Sequence, residues 1–411
     1  MDGEVVWDQG LLYIFPTTMR KGEKIMKKTI AFVMAIMMVM TLFAGCGAKN
    51  EPAAANVIKI GLTGPLTGGA AVYGTAVEAG MKIAVEEINA AAAEGDLKIE
   101  FKAADDEHDT EKALNAYNSL KDWGMQIFAG AVTTAPSLAL APETVSDNIF
   151  MLTPSASAPT VAEAGANVFQ ICFTDPNQGA GSAGLIASKN LGETIGVIYD
   201  SSDAYSTGIY ESFMAEADKL GLNVAVVTSF TADNKNDLST QVTQCKDAGC
   251  DLVFLPFYAT EAAQVLTYAK KVGFAPMFFG CDGMDGILTV DGFDAALAEG
   301  LVMMTPFAAD AADEATQSFV TKYKAMTNGE TPNQFAADGY DVIYSIYAAC
   351  KASGINGSES NKAICEAMIK WFTTNSFDGL TGTGMTWDAS GMVSKVPTAV
   401  VVNNGAYVGM E

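Results

Sequence analysis

From Val57 onward, short apolar runs rich in Val, Ile and Phe alternate with longer stretches of helical period. No other feature of the sequence restricts the fold as strongly. Strands are predicted at Val57–Leu62, Leu97–Ala103, Gln126–Ala129 and Asn148–Leu152. Helices are predicted between them at Ala76–Ala93, Glu111–Trp123 and Ala135–Ser146, the last opening on Pro136, which a first turn tolerates. The alternation restarts with helix Gly179–Asn190, strand Thr194–Tyr199, helix Tyr205–Leu220 and strand Asn223–Ser229. Helices Asp237–Asp247 and Glu261–Val272 then flank a strand at Asp251–Pro256, and strands Met277–Phe279 and Leu301–Thr305 follow. Strands separated by helices imply parallel sheets covered on both faces. Two such sets imply two α/β lobes of similar build. The C-terminal part is more helical, with Glu314–Met326, Phe335–Ala352 and Lys362–Phe372. A strand and turn are expected around Thr386-Trp387-Asp388, and a last strand at Pro397–Asn403.

The first 56 residues have a different character. Met26-Lys27-Lys28 opens a charged segment, an apolar run from Ile30 to Ala44 follows, and Gly45-Cys46-Gly47 closes it. These are the parts of a secretory signal, and the run is short for a membrane span. Phe43-Ala44-Gly45-Cys46 resembles a bacterial lipobox, with Phe43 where an aliphatic residue is usual. Residues 26–45 are therefore expected to be a lipoprotein signal peptide, Cys46 its lipid anchor, and residues 46–56 a small polar tether. Residues 1–25 fit no part of a signal. The expected translation start is Met26, with 1–25 a mis-annotated extension.

Composition excludes several functions. The 411 residues carry a net charge of −24, so nucleic acid is not an expected partner, because phosphate contact needs Lys and Arg. Cys172, Cys245, Cys250, Cys281, Cys350 and Cys365 show no CxxC spacing. The chain has one histidine, His108, so no metal site is expected. The six are read as buried small hydrophobes. An exported chain also allows Cys350–Cys365 or Cys245–Cys250 bridges. There is no G-x-S-x-G, no H-E-x-x-H and no base to activate the many hydroxyls, so no enzyme and no cofactor are expected. Gly61-Leu62-Thr63-Gly64-Pro65 follows a strand but lacks dinucleotide and phosphate-loop spacing.

Three stretches invite a functional reading. Thr153–Thr160, TPSASAPT, is an uncharged hydroxyl-bearing loop after a buried strand. Asp105-Asp106-Glu107-His108-Asp109 is either a metal cluster or a strand end whose Asp109 or Thr110 caps the next helix. Asp282, in Cys281-Asp282-Gly283, does not fit a calcium loop. It follows strand Met277–Phe279, where α/β folds bind ligands, and is read either as a ligand contact or as a turn aspartate.

Ile58-Lys59-Ile60-Gly61-Leu62-Thr63-Gly64-Pro65, then Tyr73-Gly74, Asp105-Asp106, Thr153–Pro159, Asp200 with Tyr205, Gly280–Gly283 and Thr386–Asp388 resemble, in order and spacing, the leucine/isoleucine/valine-binding proteins. These are the solute receptors of branched-chain amino-acid ABC importers. The resemblance implies two Rossmann-like lobes of the type I periplasmic-binding fold, joined by a three-crossing hinge. Residues 57–175 with 307–381 would form one lobe, and 176–306 with 382–411 the other. It implies a carboxylate shelf from Thr134, Ser155 and Ser157, an ammonium partner in Asp282, and pocket walls from Tyr73, Tyr205 and Tyr258. His108 and Thr133 stand where better-known members carry a disulfide, which would leave His108 without a special role. Asp282 replaces a usual Glu.

The function expected is that of an extracytoplasmic, lipid-anchored substrate-binding protein on the outer face of the bacterial cytoplasmic membrane. It would be a monomer that binds an amino acid, branched-chain or otherwise apolar, and delivers it to the membrane permease of an ABC importer. The alternatives are a receptor for an amide, urea or aromatic acid on the same fold, an α/β enzyme, or a sensor ectodomain.

Overall fold

The computed structural model describes residues 56–410. The signal segment, the start at Met26 and the Cys46 anchor lie outside them. Among the described residues no helix is long and apolar enough to cross a membrane.

Five strands form the first sheet: β1 (Val57–Gly64), β2 (Lys98–Asp105), β3 (Ile127–Phe128), β4 (Phe150–Thr153) and β5 (Val168–Gln170). Their order is β2-β1-β3-β4-β5, and every pairing is parallel. The connections carry α1 (Ala71–Ala91), α2 (Thr110–Trp123), α3 (Thr134–Asp147) and the single turn α4 (Pro159–Ala162). The chain then passes through α5 (Asp175–Lys189) into a second sheet. Here β6 (Ile195–Asp200), α6 (Ala204–Leu220), β7 (Val224–Phe230), α7 (Ser239–Asp247), β8 (Leu252–Leu255), α8 (Ala259–Lys271), β9 (Met277–Gly280) and β10 (Val302–Thr305) follow. Three helices come next, α9 (Glu314–Met326), α10 (Gln334–Ser353) and α11 (Asn361–Phe372). A small antiparallel pair, β11 (Ser376–Phe377) and β12 (Met385–Thr386), leads to β13 (Thr398–Asn403) and β14 (Ala406–Gly409). These last two strands join the second sheet antiparallel, giving the order β14-β13-β10-β9-β8-β6-β7.

Local chemistry accounts for most boundaries. β4, β8 and β10 are buried at every residue, as strands covered on both faces must be. Asp109 caps α2 by accepting from the N–H groups of Glu111 and Lys112, and Gly124 ends that helix in the left-handed region. Asn148 and Asn190 end α3 and α5 in the same conformation. Asn333 caps α10 by accepting from the Ala336 N–H. The Asp105–Asp109 stretch is thus a strand end and a helix cap, and no metal-binding group of His, Cys, Asp or Glu occurs among the described residues.

Several expectations are corrected. α1 begins at Ala71 rather than Ala76, and α5 at Asp175 rather than Gly179, with Pro176 in its first turn. β3 is two residues long instead of four. β5 and β14 were not anticipated, because three or four residues carry too little pattern. All six cysteines of the described residues are buried and free.

One close approach ties α10 to α1 of the first sheet. A methyl group on Gly80 of α1 would overlap the carbonyl oxygen of Ala336 on α10, and one on Gly339 would lie 2.5 Å from the Val77 carbonyl oxygen. Neither helix can separate enough to admit a Cβ without lifting α10 off the core. Gly80→Ala is therefore expected to destabilise the protein by about 3 kcal/mol or more, through overpacking against backbone. Urea denaturation of the variant beside the wild type measures this.

Candidate functional site

The carboxyl ends of both parallel sheets face one space. Tyr73 reaches it from the first turn of α1, and Thr133 and Thr134 from the start of α3. Ser155 comes from the loop after β4, Tyr205 from the first turn of α6, and Tyr258 from the residue that precedes α8. Asp282 and Gly283 lie just past β9, and Phe335 at the start of α10. These residues, with Val132, line a space of about 10 Å³, room for about one water molecule. A far larger cleft of about 1160 Å³ lies beside Ala71, Leu288, Tyr323 and Tyr407, but its lining includes none of the seven residues expected to bind ligand.

Six of those seven therefore meet. Ser157, the seventh, does not line the space. It is fully buried, and its carbonyl accepts from the Asp175 N–H at 3.0 Å. The TPSASAPT loop is folded on its own hydroxyls. Thr153 Oγ1 donates to the Ala131 carbonyl at 2.6 Å and accepts from the Ala156 N–H at 3.0 Å. Ser155 Oγ donates to the Val132 carbonyl at 2.6 Å. Thr134 is the first residue of α3 rather than the residue before it. Its hydroxyl stands at a helix N-terminus, where unpaired N–H groups favour an anion.

Asp282 is the most constrained group. Its residue is 3% exposed. Oδ1 accepts from the Tyr205 hydroxyl at 2.6 Å and from the Gly283 N–H at 2.7 Å. Its N–H donates to Gln178 Oε1 at 3.1 Å, and its carbonyl accepts from Gln334 Nε2 at 2.9 Å. None of these partners is a cation. Burial pushes the carboxyl group up to about 6, against the opposing pull of the Tyr205 hydrogen bond.

The aromatic side chains interlock around it. Tyr205 stacks on Tyr258 with centroids 5.0 Å apart, Tyr73 lies 5.3 Å from Tyr258, and Phe335 meets Tyr73 edge-on at 4.8 Å. The Tyr73 hydroxyl donates to the Gly283 carbonyl at 2.5 Å and accepts from the Ala259 N–H at 2.8 Å. It thereby links a residue that follows the first sheet's opening strand to two residues of the second set.

Sequence reasoning missed Phe335, Val132, Thr133 and the two glutamines that hold Asp282. A Phe in the first turn of a helix looks like core, and a Gln gives no local signal of its partner. The expectation for His108 is also corrected. Its Nδ1 lies 2.8 Å from Thr133 Oγ1, so it holds a residue of the site wall. Burial, with the Lys235 charge, lowers its pKa from the ordinary histidine value and so favours the neutral imidazole.

A family model described as "Periplasmic binding protein" matches residues 57–406, and the chain belongs to that family. Its members are substrate-binding proteins of transporters, not enzymes. The leucine-, isoleucine-, valine-, threonine-, and alanine-binding protein of Pseudomonas aeruginosa is 27% identical over 365 residues, covering 89% of this chain and 92% of its own. The branched-chain amino acid transporter substrate binding protein LivJ of Streptococcus pneumoniae, solved with isoleucine, is similar with a TM-score of 0.75 and 25% identity. That match covers 85% of this chain and 97% of the other. A Rhodopseudomonas palustris solute binding protein solved with 3,4-dihydroxybenzoic acid shares the fold at a TM-score of 0.75 and 19% identity, over 87% and 96% of the two chains. The architecture is the type I periplasmic-binding fold, with parallel-sheet cores as expected from the sequence.

The raised Asp282 pKa has a consequence for stability. Its folded value, about 6, exceeds the ordinary 3.8, so folding takes up a proton between those limits. The stability contributed by this group is fully present below about pH 4 and is lost as the pH rises through about 6. Without ligand, Asp282→Asn is expected to be more stable than the wild type at pH 8, by roughly 3 kcal/mol at most, with the gain gone at pH 4. Urea denaturation at the two pH values decides it.

Proposed function

We propose that this protein is the exported, lipid-anchored receptor of an ABC importer and that it binds a free α-amino acid between two lobes. The observation that carries the reading is the buried carboxyl group of Asp282. It sits among tyrosines, with no cationic partner, across from the hydroxyls of Thr134 and Ser155. A ligand ammonium supplies the missing countercharge, which a buried carboxylate needs. The ligand carboxylate, all acceptor, suits the Thr134 hydroxyl and the free N–H groups at the start of α3, while the Ser155 hydroxyl gives its proton to the Val132 carbonyl. An aromatic acid would fit the aromatic walls but would set an anion against Asp282.

The two lobes are residues 57–175 with 307–381 and residues 176–306 with 382–411. The space of about 10 Å³ is too small for any amino acid, so entry requires the lobes to part. The bonds that must break include those from Tyr73 to Gly283 and Ala259. Thr260 Oγ1 to the Gly69 carbonyl, 2.8 Å, and Gln334 Nε2 to the Asp282 carbonyl also give way. The ligand then closes the cleft by binding the shut form better than the open one. Closure removes water, which strengthens the ion pair. The closed form is what a membrane permease would recognise. Cleavage before Cys46 and lipid attachment there would hold the receptor at the outer face of the cytoplasmic membrane.

Asp282→Ala is expected to lose amino-acid binding by at least about 100-fold, since an unpaired ligand charge would be buried. Isothermal titration with alanine, leucine and benzoate gives the result, and unchanged affinity would reject the site. In cells, Cys46→Ser is expected to move the protein from the membrane fraction to the soluble fraction. Mass spectrometry of the wild-type N-terminus should find a lipid-modified Cys46.

A further inference from the structure

The amino-acid reading leaves part of the wall without a task. With the carboxylate at the start of α3 and the ammonium on Asp282, the lining left to the ligand side chain includes Val132, Thr133, Tyr73, Tyr258 and Phe335. Val132 and Phe335 are apolar. The Tyr73 hydroxyl is engaged as donor and as acceptor by Gly283 and Ala259. Thr133 is different. It is 4% exposed, and its only hydrogen-bond partner for Oγ1 among the described residues is His108 Nδ1 at 2.8 Å.

A threonine hydroxyl has one proton to give and two lone pairs to offer, and a neutral imidazole nitrogen takes up one of these roles. If Nδ1 accepts, the Thr133 oxygen keeps its lone pairs for a donor. If Nδ1 carries the hydrogen, the Thr133 O–H remains free to donate. Both tautomers leave a hydroxyl held in place by His108 and short of a partner. The Tyr258 ring stands edge-on to His108 at 5.4 Å, and its own hydroxyl makes no hydrogen bond among the described residues. The side-chain end of the site is therefore a polar corner in an otherwise aromatic wall.

We propose that the protein selects an amino-acid side chain bearing a hydroxyl or amide over its aliphatic isostere, and that Thr133, positioned by His108, makes that choice. The inference rests on the amino-acid reading above and narrows it away from the branched aliphatic side chains. Threonine and valine form the decisive pair, since they differ by a hydroxyl in place of a methyl group. Threonine completes the hydrogen bonding of Thr133, whereas valine buries it one partner short. One such bond is worth about a tenfold difference in affinity.

The test is isothermal titration of the purified protein with threonine, valine, leucine and alanine. Threonine is expected to bind at least about tenfold more tightly than valine. Thr133→Val should bring that ratio to about one or reverse it. Thr133→Ser should preserve it, and His108→Asn, a residue that tolerates the positive φ of that position, should reduce it. Should Thr133→Val fail to fold, the serine and asparagine variants carry the comparison. Valine or leucine binding as tightly as threonine, a ratio lost in Thr133→Ser, or a ratio unmoved by Thr133→Val and His108→Asn, overturns the selection while alanine binding leaves the amino-acid reading intact. Failure of all four amino acids to bind overturns that reading, and this inference with it.

Discussion

A carboxyl group buried without a cation is the constraint on which the site depends. Asp282 holds its place through the Tyr205 hydroxyl, the Gly283 N–H and two glutamines. Hydroxyl and amide donors stabilise a carboxylate only in part, and burial keeps its proton affinity high. The surrounding residues can be understood as consequences. Three tyrosines and Phe335 exclude water and so make the charge demanding. The hydroxyls on the opposite wall, being neutral, leave that demand unmet.

Parallel sheets deliver these groups to one place because each strand ends at the same face. β4 presents the Ser155 loop, β9 presents Asp282, and the helices that start nearby present Thr134, Tyr205 and Phe335. The helix α10 has a second role further along its length. Its Asp338 accepts from buried Lys395 at 2.9 Å, and the same ammonium reaches Thr381 Oγ1 at 2.6 Å. Asp341 in turn accepts from the Thr381 hydroxyl and N–H. One helix thus supports Asp282 at its N-terminus and, a turn or two later, anchors the chain that returns to the second sheet. A buried ion pair of this kind fixes geometry more surely than it adds stability, because desolvation offsets much of the attraction.

His108 and Thr133 lie far apart along the chain. Packed together, they form a hydrogen bond at the wall of the site. The contact joins the two segments through a polar pair.

The alternation of strand and helix, and with it the α/β class, was legible in the chain from Val57 onward, because strands covered on both faces must be apolar throughout. The start of α2 at Asp109 was legible for an equally local reason, since it turns on one residue's own hydrogen bonding, whereas Asn148 and Asn190, read as part of a strand and of a helix, close α3 and α5 in the left-handed region. The position of Asp282 after β9 could also be read, though not its burial. The seven site residues came from ordered likeness rather than from local pattern, and the structure sets Ser157 back from the wall the others share. Phe335, Thr133, Gln178 and Gln334 were invisible, as were β5 and β14. A side chain joins a site by meeting residues far along the chain, as Tyr73 meets Gly283 210 positions away, and only the packing of α10, β9 and α3 around one space decides which ones meet.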